Sequence, residues 1–330
     1  MKRWAKFAVR RAVLPLGVRL GTFRQHTPKA LDPLPSPPAK PDEDLPSIRI
    51  ATPTLNQARF LEGAIRSVLD QGYPKLEYAV CDAASGDGSG DILDRYRDRL
   101  AYARSAPDGG QANAINEGLS NTSGEIMAWL NADDRLLPGS LVSVARFFRD
   151  HPEVDVVYGH RVVLDEDGRA IGRWILPPHR PSAFRWRDYV PQETMFWRSK
   201  LWDRAGGGLD ESLDFAIDWE LLLRFEKAGA TFHRLPLFLG AFTTHASQKS
   251  IAQRGNVGEP EFRRLQHEVA PTFTASIIER AASAAYMLES AAHDWACTIR
   301  GYPRPSDTAS ESGAQVGAKT GPVAASTSAG

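Results

Sequence analysis

Cysteine is nearly missing. Cys81 and Cys297 are the only two in 330 residues, which rules out a disulfide framework and suits a reducing, cytoplasmic compartment. No stretch reaches the roughly 18 uninterrupted apolar residues of a membrane-spanning helix. Excess charge of either sign is absent too, since 40 basic residues meet 40 acidic ones, and no global field draws the chain to nucleic acid. Two phosphate cradles are also lacking. No Gly-x-Gly-x-x-Gly follows the first strand pattern, where Pro53-Thr54-Leu55-Asn56 stands instead, and no Gly-x-x-x-x-Gly-Lys-Ser/Thr loop occurs. Hydride transfer and P-loop phosphoryl transfer lose most of their support.

What is present from Ser47 onward is strand and helix in alternation. Ile48–Leu55 reads as a strand, with Asn56 as cap of a helix whose Phe60, Leu61, Ala64, Ile65, Val68 and Leu69 share one face. A strand over Leu76–Cys81 ends at Asp82, and a helix over about 90–99 leads to a strand over Leu100–Ser105. Asp108-Gly109-Gly110-Gln111 opens a short helix through Leu119. Such repetition predicts a parallel, doubly wound sheet with ligands at the carboxyl ends of its strands.

The decisive stretch is Glu125–Asp134, an apolar run ending in Asn131-Ala132-Asp133-Asp134. As a buried strand it delivers two carboxylates to that edge, in register with Asn56, Asp82 and Asp108. Adjacent acids in a cleft call for a compensating cation, and Mg²⁺ or Mn²⁺ with a diphosphate is the economical one. Asp133 and Asp134 opening a turn before Pro138-Gly139 is the plain alternative.

Together, Ile50–Asn56, Asp82–Ser89, Asp108–Gln111 with Ala114–Gly118, and Leu130–Asp134 resemble family 2 glycosyltransferases, and the likeness runs from about residue 48 to 250. The resemblance implies an α/β, GT-A (Rossmann-like), mainly parallel sheet flanked by helices. It also implies an inverting, metal-dependent transfer of sugar from a nucleoside-diphosphate donor to a hydroxyl acceptor. Carried over residue by residue, it puts Pro53, Thr54, Asn56, Asp82, Asp108, Gln111, Asn116, Asn131 and Asp133 at the nucleotide-sugar, with Asp133 nearer the ribose or sugar. Asp134 and His245 would hold the metal, and Asp218 would be the catalytic base. Gln192, Glu193 and Trp219 would lie near the acceptor or donor sugar, and residues 244–250 would form a closing segment. Two departures stand out. Ala83-Ala84 replaces a common glycine pair, and Asn113 stands where relatives often carry Asp. Without the motif context, Asp218 reads as a surface carboxylate on a helix whose Trp219, Leu222 and Leu223 face the core.

The remaining segments read more plainly. Val154–Leu164 and Ala170–Ile175 form a hairpin about Asp165–Gly168. The aromatics Trp174, Phe184, Trp186, Tyr189, Phe196, Trp197 and Trp202 are core, with one or two facing the acceptor. Residues 1–25 carry seven basic and no acidic side chains among apolar ones. They read as a peripheral membrane contact, a disordered arm or a packed helix, and their arginines disfavour a cleaved signal. With the Pro-rich linker they make a first section, 1–46. The transferase domain is expected over 47–255, divided at 135/136, a helical extension over 256–302, and a disordered tail from 303. The implied partners are a nucleotide-sugar and a glycan or glycolipid at the cytoplasmic face of a membrane. A sugar nucleotidyltransferase would want a Gly-rich basic loop after the first strand, and a non-catalytic nucleotide-binding scaffold is the other rival.

Overall fold

The computed structural model describes residues 24–30, 44–249, 254–270 and 272–300. Residues 1–23 of the basic segment, most of the Pro-rich linker, Ser250 of the closing segment and the tail from 303 lie outside the described residues. Four parallel strands form the nucleus: β2 (Ile48–Thr54), β3 (Leu76–Asp82), β4 (Tyr102–Ser105) and β5 (Ile126–Trp129). They lie in the order β4-β3-β2-β5. The runs of β2, β3 and β5 are largely buried, as parallel strands covered by helices require, while β4 at the edge is half-buried to exposed. Register aligns the polar ends: Thr54 faces Asp82, and Asp82 faces Ser105.

Between these strands run α1 (Ala58–Leu69), α2 (Ser89–Tyr96) and α3 (Gln111–Ser120). Helix α1 buries Leu61, Ala64, Ile65 and Val68 on its inner face. Helix α3 sits close on the sheet because Gly118 has no side chain; a Cβ there would stand 2.9 Å from that of Ala51. Asn56 does not cap α1. It adopts φ 53°, and its Oδ1 accepts the Gly86 N–H at 3.0 Å. The Ala58 N–H donates instead to Asp87 Oδ2 at 2.8 Å, so the following βα loop supplies the cap.

After β5 the chain forms β6 (Arg135–Leu136), α4 (Ser140–Asp150), and the antiparallel pair β7 (Val156–Leu164) and β8 (Ala170–Trp174). Helix α5 (Pro181–Phe184) precedes β9 (Phe196–Arg198), which pairs antiparallel with both β5 and β7 and joins the two halves of the sheet. Then come α6 (Ser199–Arg204), α7 (Ile217–Lys227) and β10 (Phe232–Thr243), the last parallel to β7 and antiparallel to β6. Helices α8 (Glu259–Val269) and α9 (Phe273–Arg300) close the described chain. At the other edge β1 (Arg24–Lys29) pairs antiparallel with β8. That strand straddles the expected arm and linker; Arg-Gln-His-Thr-Pro-Lys carries no apolar alternation, and only backbone pairing reveals it. Among the described residues no helix is long and apolar enough to cross a membrane.

The loop after β3 carries a local cost. Ala84 adopts φ 57°, a left-handed conformation that disfavours a Cβ by about 1–2 kcal/mol. Ala84→Gly is expected to stabilise the fold by up to about 1 kcal/mol. Urea unfolding checks this, and an unchanged or lower midpoint would refute it.

Candidate active site

The carboxyl ends of β2, β3 and β5 do gather the expected residues. Asp82 is fully buried and accepts hydrogen bonds from the Ser85 N–H at 3.1 Å, Ser85 Oγ at 2.5 Å and Ser105 Oγ at 2.5 Å. Ser85 Oγ also accepts the Asn56 N–H at 2.7 Å, which ties the first two strand ends together. Pro53 is buried beside Thr54, whose hydroxyl is buried without a partner. An orphaned hydroxyl at this edge is the kind of group a ligand satisfies. Asp108 is held locally, accepting the Gly110 N–H at 2.9 Å and facing Arg104 at 3.4 Å.

A second network runs across the crevice. Gln111 donates to Asn131 Oδ1 at 2.9 Å, Asn131 donates to Gln192 Oε1 at 3.0 Å, and Gln192 donates to the Trp129 carbonyl at 2.9 Å. Lys249, at the end of the expected closing segment, donates to Gln111 Oε1 at 3.2 Å. Asp133 accepts from His245 Nε2 at 3.0 Å, while His245 Nδ1 meets Ser247 Oγ at 2.9 Å. Both ring nitrogens are therefore engaged, so His245 as placed holds Asp133 rather than standing free for an ion. The ring also packs on Phe60 at 4.6 Å.

Asp134 meets the end of β10, where its Oδ1 accepts the Thr243 N–H at 3.1 Å. Burial drives its carboxyl far above the usual carboxylate range, and the charges of Asp133 and Glu193 push the same way. Glu193 in turn takes a two-pronged ion pair from Arg161 of β7, with Nε to Oε1 at 2.8 Å. The Arg161 guanidinium lies over Phe242 at 4.4 Å. Gly240 permits this approach, since a Cβ there would come within 2.7 Å of Glu193. Among the described residues no three His, Cys, Asp or Glu side chains are grouped as a complete metal cage. A hard cation that shares its shell between one or two carboxylates and a diphosphate does not need one. The donor chemistry and the crowding of negative charge at Asp134 fit such an ion.

Asp218 sits in the first turn of α7 and feels the same charges. Burial raises its carboxyl to about 6, against the pull of Arg161. Its Oδ1 accepts the Trp219 N–H at 2.9 Å. Asp188 is a neighbour that sequence reasoning missed: its Oδ1 is buried without a partner. Burial and then the charge of Asp218 drive its carboxyl well up. Glu261 of α8 was missed as well. It accepts the N–H groups of Asp214, Phe215 and Ala216 at 2.9, 2.9 and 2.8 Å, fixing the start of the Asp218 helix. No local pattern marks Asp188, Arg161 or Glu261, because each meets the site only through the fold.

Two expected contacts lie elsewhere. Trp219 is fully buried and donates its indole N–H to the Phe184 carbonyl at 3.1 Å, so it packs in the core and offers no surface to a sugar. At the first turn of α7 the apolar side of the helix faces inward, and Trp219 lies on that side. Asn116 is turned to the 209–211 turn, accepting the Leu209 N–H at 2.6 Å and donating to Glu211 at 2.9 Å. Its amide is thus spent on holding that turn. Among the crowded aromatics Phe184, Tyr189, Phe196 and Trp197 are core, while Trp174 and Trp186 are half-buried.

Comparisons with known proteins converge on this architecture. Residues 49–208 match the profile of the family described as Glycosyl transferase family 2. The O-antigen biosynthesis protein RfbC of Myxococcus xanthus is 30% identical over 214 residues, 63% of this chain and 16% of that protein. The putative teichuronic acid biosynthesis glycosyltransferase TuaG of Bacillus subtilis is 27% identical over 166 residues, 49% of this chain and 64% of that protein. The chain thus spans less than two thirds of either relative. The crystal structure of S. aureus TarS 1-349 in complex with UDP-GlcNAc has a TM-score of 0.55 at 18% identity, covering 68% of this chain and 66% of that one. The mannosyltransferase PcManGT from Pyrobaculum calidifontis, in complex with GDP-Man and Mn²⁺, has a TM-score of 0.51 at 20% identity, covering 84% and 82%. These structures share the GT-A fold with the parallel sheet described above. Residues 49–208 are thus similar to glycosyltransferase family 2, and the chain has the GT-A fold.

Proposed function

We propose that this enzyme moves a sugar from a nucleoside diphosphate to a hydroxyl acceptor with inversion, with a divalent metal, in synthesis of a cell-surface polysaccharide or glycolipid at the cytoplasmic face of a membrane. One observation carries the reading: Asp133-Asp134 and the raised carboxyl of Asp218 share one charged cluster, organised by the Arg161–Glu193 pair, at the carboxyl edge of the parallel sheet. Thr54, Asn56 and Asp82 flank the nucleotide, and Asn131 with Gln192 and Glu193 shapes the donor-sugar end. Asp134, with Asp133 beside it, holds the ion. A metal bound there neutralises negative charge developing on the leaving diphosphate. Asp218 takes the proton from the attacking hydroxyl, and a single base of this kind supports a one-step displacement. The printed names of the O-antigen and teichuronic acid relatives support the surface-glycan setting.

Calorimetric titration of UDP, GDP and dTDP into the protein, with Mn²⁺ and then with EDTA, tests the donor site. One nucleotide is expected to bind, and only with metal. Equal binding in EDTA would remove the metal from the reading, and absence of binding by all three would favour a scaffold that has lost its donor.

A further inference from the structure

We infer that the cavity between α3 and the turn after α6 is a saccharide subsite, separate from the reaction centre, that holds a neutral stretch of glycan by its hydroxyl groups. The cavity has a volume of about 600 Å³, within the range of small-molecule sites. None of Asp133, Asp134, Asp188 and Asp218 lines it. Asn113 stands at the end nearer the crevice, one helical turn's reach from Gln111 of the crevice network, while Ser120 and Arg49 stand at the far end. From Asn113 to Ser120 the helix rises by about 10 Å, so the cavity leads from the crevice rim along α3 toward the start of β2. Asn116, which the family resemblance puts at the nucleotide-sugar, lines this cavity.

The wall opposite α3 is built and held open by its own chain. Gly206, Gly207 and Gly208 adopt left-handed φ of 95°, 65° and 66°, a run that residues with a Cβ would resist. Arg224 of α7 fastens this turn, donating to the carbonyls of Ala205, Gly207 and Gly208 at 3.2, 3.0 and 2.8 Å. Asn116 ties it to α3 through both backbone groups of Leu209. The glycines also uncover a donor. A Cβ on Gly207 would stand 3.7 Å from Trp202 Nε1. Trp202 lines the cavity at 9% exposure, and its indole N–H makes no hydrogen bond among the described residues. A Trp N–H so nearly buried ordinarily has a partner, and here the cavity is where one can stand.

The groups left over name the class of ligand. Beside Trp202 the exposed Asp203 carboxylate accepts no hydrogen bond among the described residues. Arg49 spends Nη1 on the Leu119 and Thr122 carbonyls at 2.8 and 2.9 Å and leaves Nε buried without a partner. Donors and an acceptor thus stand together, which suits hydroxyl groups, since each hydroxyl both donates and accepts. An anion is the poorer fit, because Asp203 and Glu117 line the cavity against the single Arg49. A nucleobase is poorer too, since Trp202 is stacked on Trp197 at 5.8 Å and, at 9% exposure, offers an edge rather than a face. That the sugar belongs to the acceptor rests on the transfer reaction proposed above, whereas the site itself does not.

Nitrogen–proton NMR of the full chain tests this. The reporters are the Gly208 amide and the Trp202 indole peak, the one of eight that Trp202→Phe removes. Maltose, cellobiose and N,N′-diacetylchitobiose are the probes. At least one is expected to move both peaks saturably, in Asp218→Asn as in the parent. Asp203→Ala, a surface change with unaltered circular dichroism, is expected to weaken that binding at least about threefold, and Trp202→Phe by about 2- to 10-fold at the Gly208 peak, the loss of one hydrogen bond each. Silence of both peaks with all three sugars, equal movement by sorbitol, indifference to Asp203→Ala, or movement by UDP, GDP or dTDP in place of sugar would each overturn the inference. Sugar binding here requires neither nucleotide nor transfer, so the donor-site calorimetry can fail while this site stands, and the reverse.

Discussion

Asp218→Asn is expected to lose transfer by about 10²–10⁴-fold while nucleotide affinity stays within a factor of a few. The amide keeps the shape of the carboxyl and its contact with the Trp219 N–H, and removes only the capacity to take a proton. In the parent, burial holds this carboxyl at about 6, near the working range of a base at neutral pH. Activity is therefore expected to rise with pH through about 6 and then level off. Stability runs the other way. A carboxyl raised in the folded state binds a proton between roughly pH 4 and 6 that the unfolded chain has released, so the stability it contributes is present at low pH and lost as pH rises through about 6. At pH 7 the ionised group costs the fold about 1–3 kcal/mol, and Asp218→Asn is expected to melt a few degrees higher than the parent. An inactive variant that melts higher separates a base from a merely structural carboxylate. Persistence of the acid limb in Asp218→Asn would sink the assignment and turn attention to Asp188, whose buried Oδ1 shares the cluster.

The parallel nucleus and the carboxylate edge were legible in the sequence for one reason. Each of β2, β3 and β5 is a short apolar run stopped by polar residues, and parallel pairing puts those stops at one edge. Asn56, Asp82, Asp108 and Asp133-Asp134 could thus be assigned to one edge from local pattern, whereas Thr54 entered only through the family resemblance. Groups that reach the site from afar left no such trace. Arg161 sits mid-strand in β7, 32 residues from its partner Glu193, and Glu261 supports the Asp218 helix from 45 residues onward. Their roles exist only once β7, β9 and β10 close the sheet. Helix faces could be read as well: periodicity alone set Trp219 on the core side of α7, where its indole is sealed against Phe184, and only the family resemblance moved it toward the sugar. Caps, by contrast, misled. Asn56 has the chemistry of a cap, yet its backbone turns left-handed and Asp87 does the work from the next loop.

Asp134→Asn is the second large effect and acts through charge rather than proton transfer. The parent carboxylate is crowded by Asp133 and Glu193 and relieved only in part by Arg161 and the Thr243 N–H. Such a site gains from a cation and pays for its absence, so removing one charge should help the empty protein and harm the loaded one. Without metal, Asp134→Asn is expected to melt at or above the parent temperature. With Mn²⁺ and the cognate nucleoside diphosphate, it is expected to lose the metal-dependent part of the affinity. Transfer should fall by about 10³-fold, the loss of several kcal/mol that an ion contributes at a departing phosphate. Asp133→Asn offers the contrast. It exchanges the charged acceptor of His245 at 3.0 Å for a neutral amide oxygen and so weakens that hydrogen bond, and its first effect should fall on the closing segment and on nucleotide affinity, with or without metal. Calorimetry of both variants in Mn²⁺ and in EDTA reads these differences directly. If Asp134→Asn bound nucleotide as the parent does in Mn²⁺, the ion would have to sit elsewhere, and the crowding at Asp134 would be relieved by a positive group on the acceptor instead.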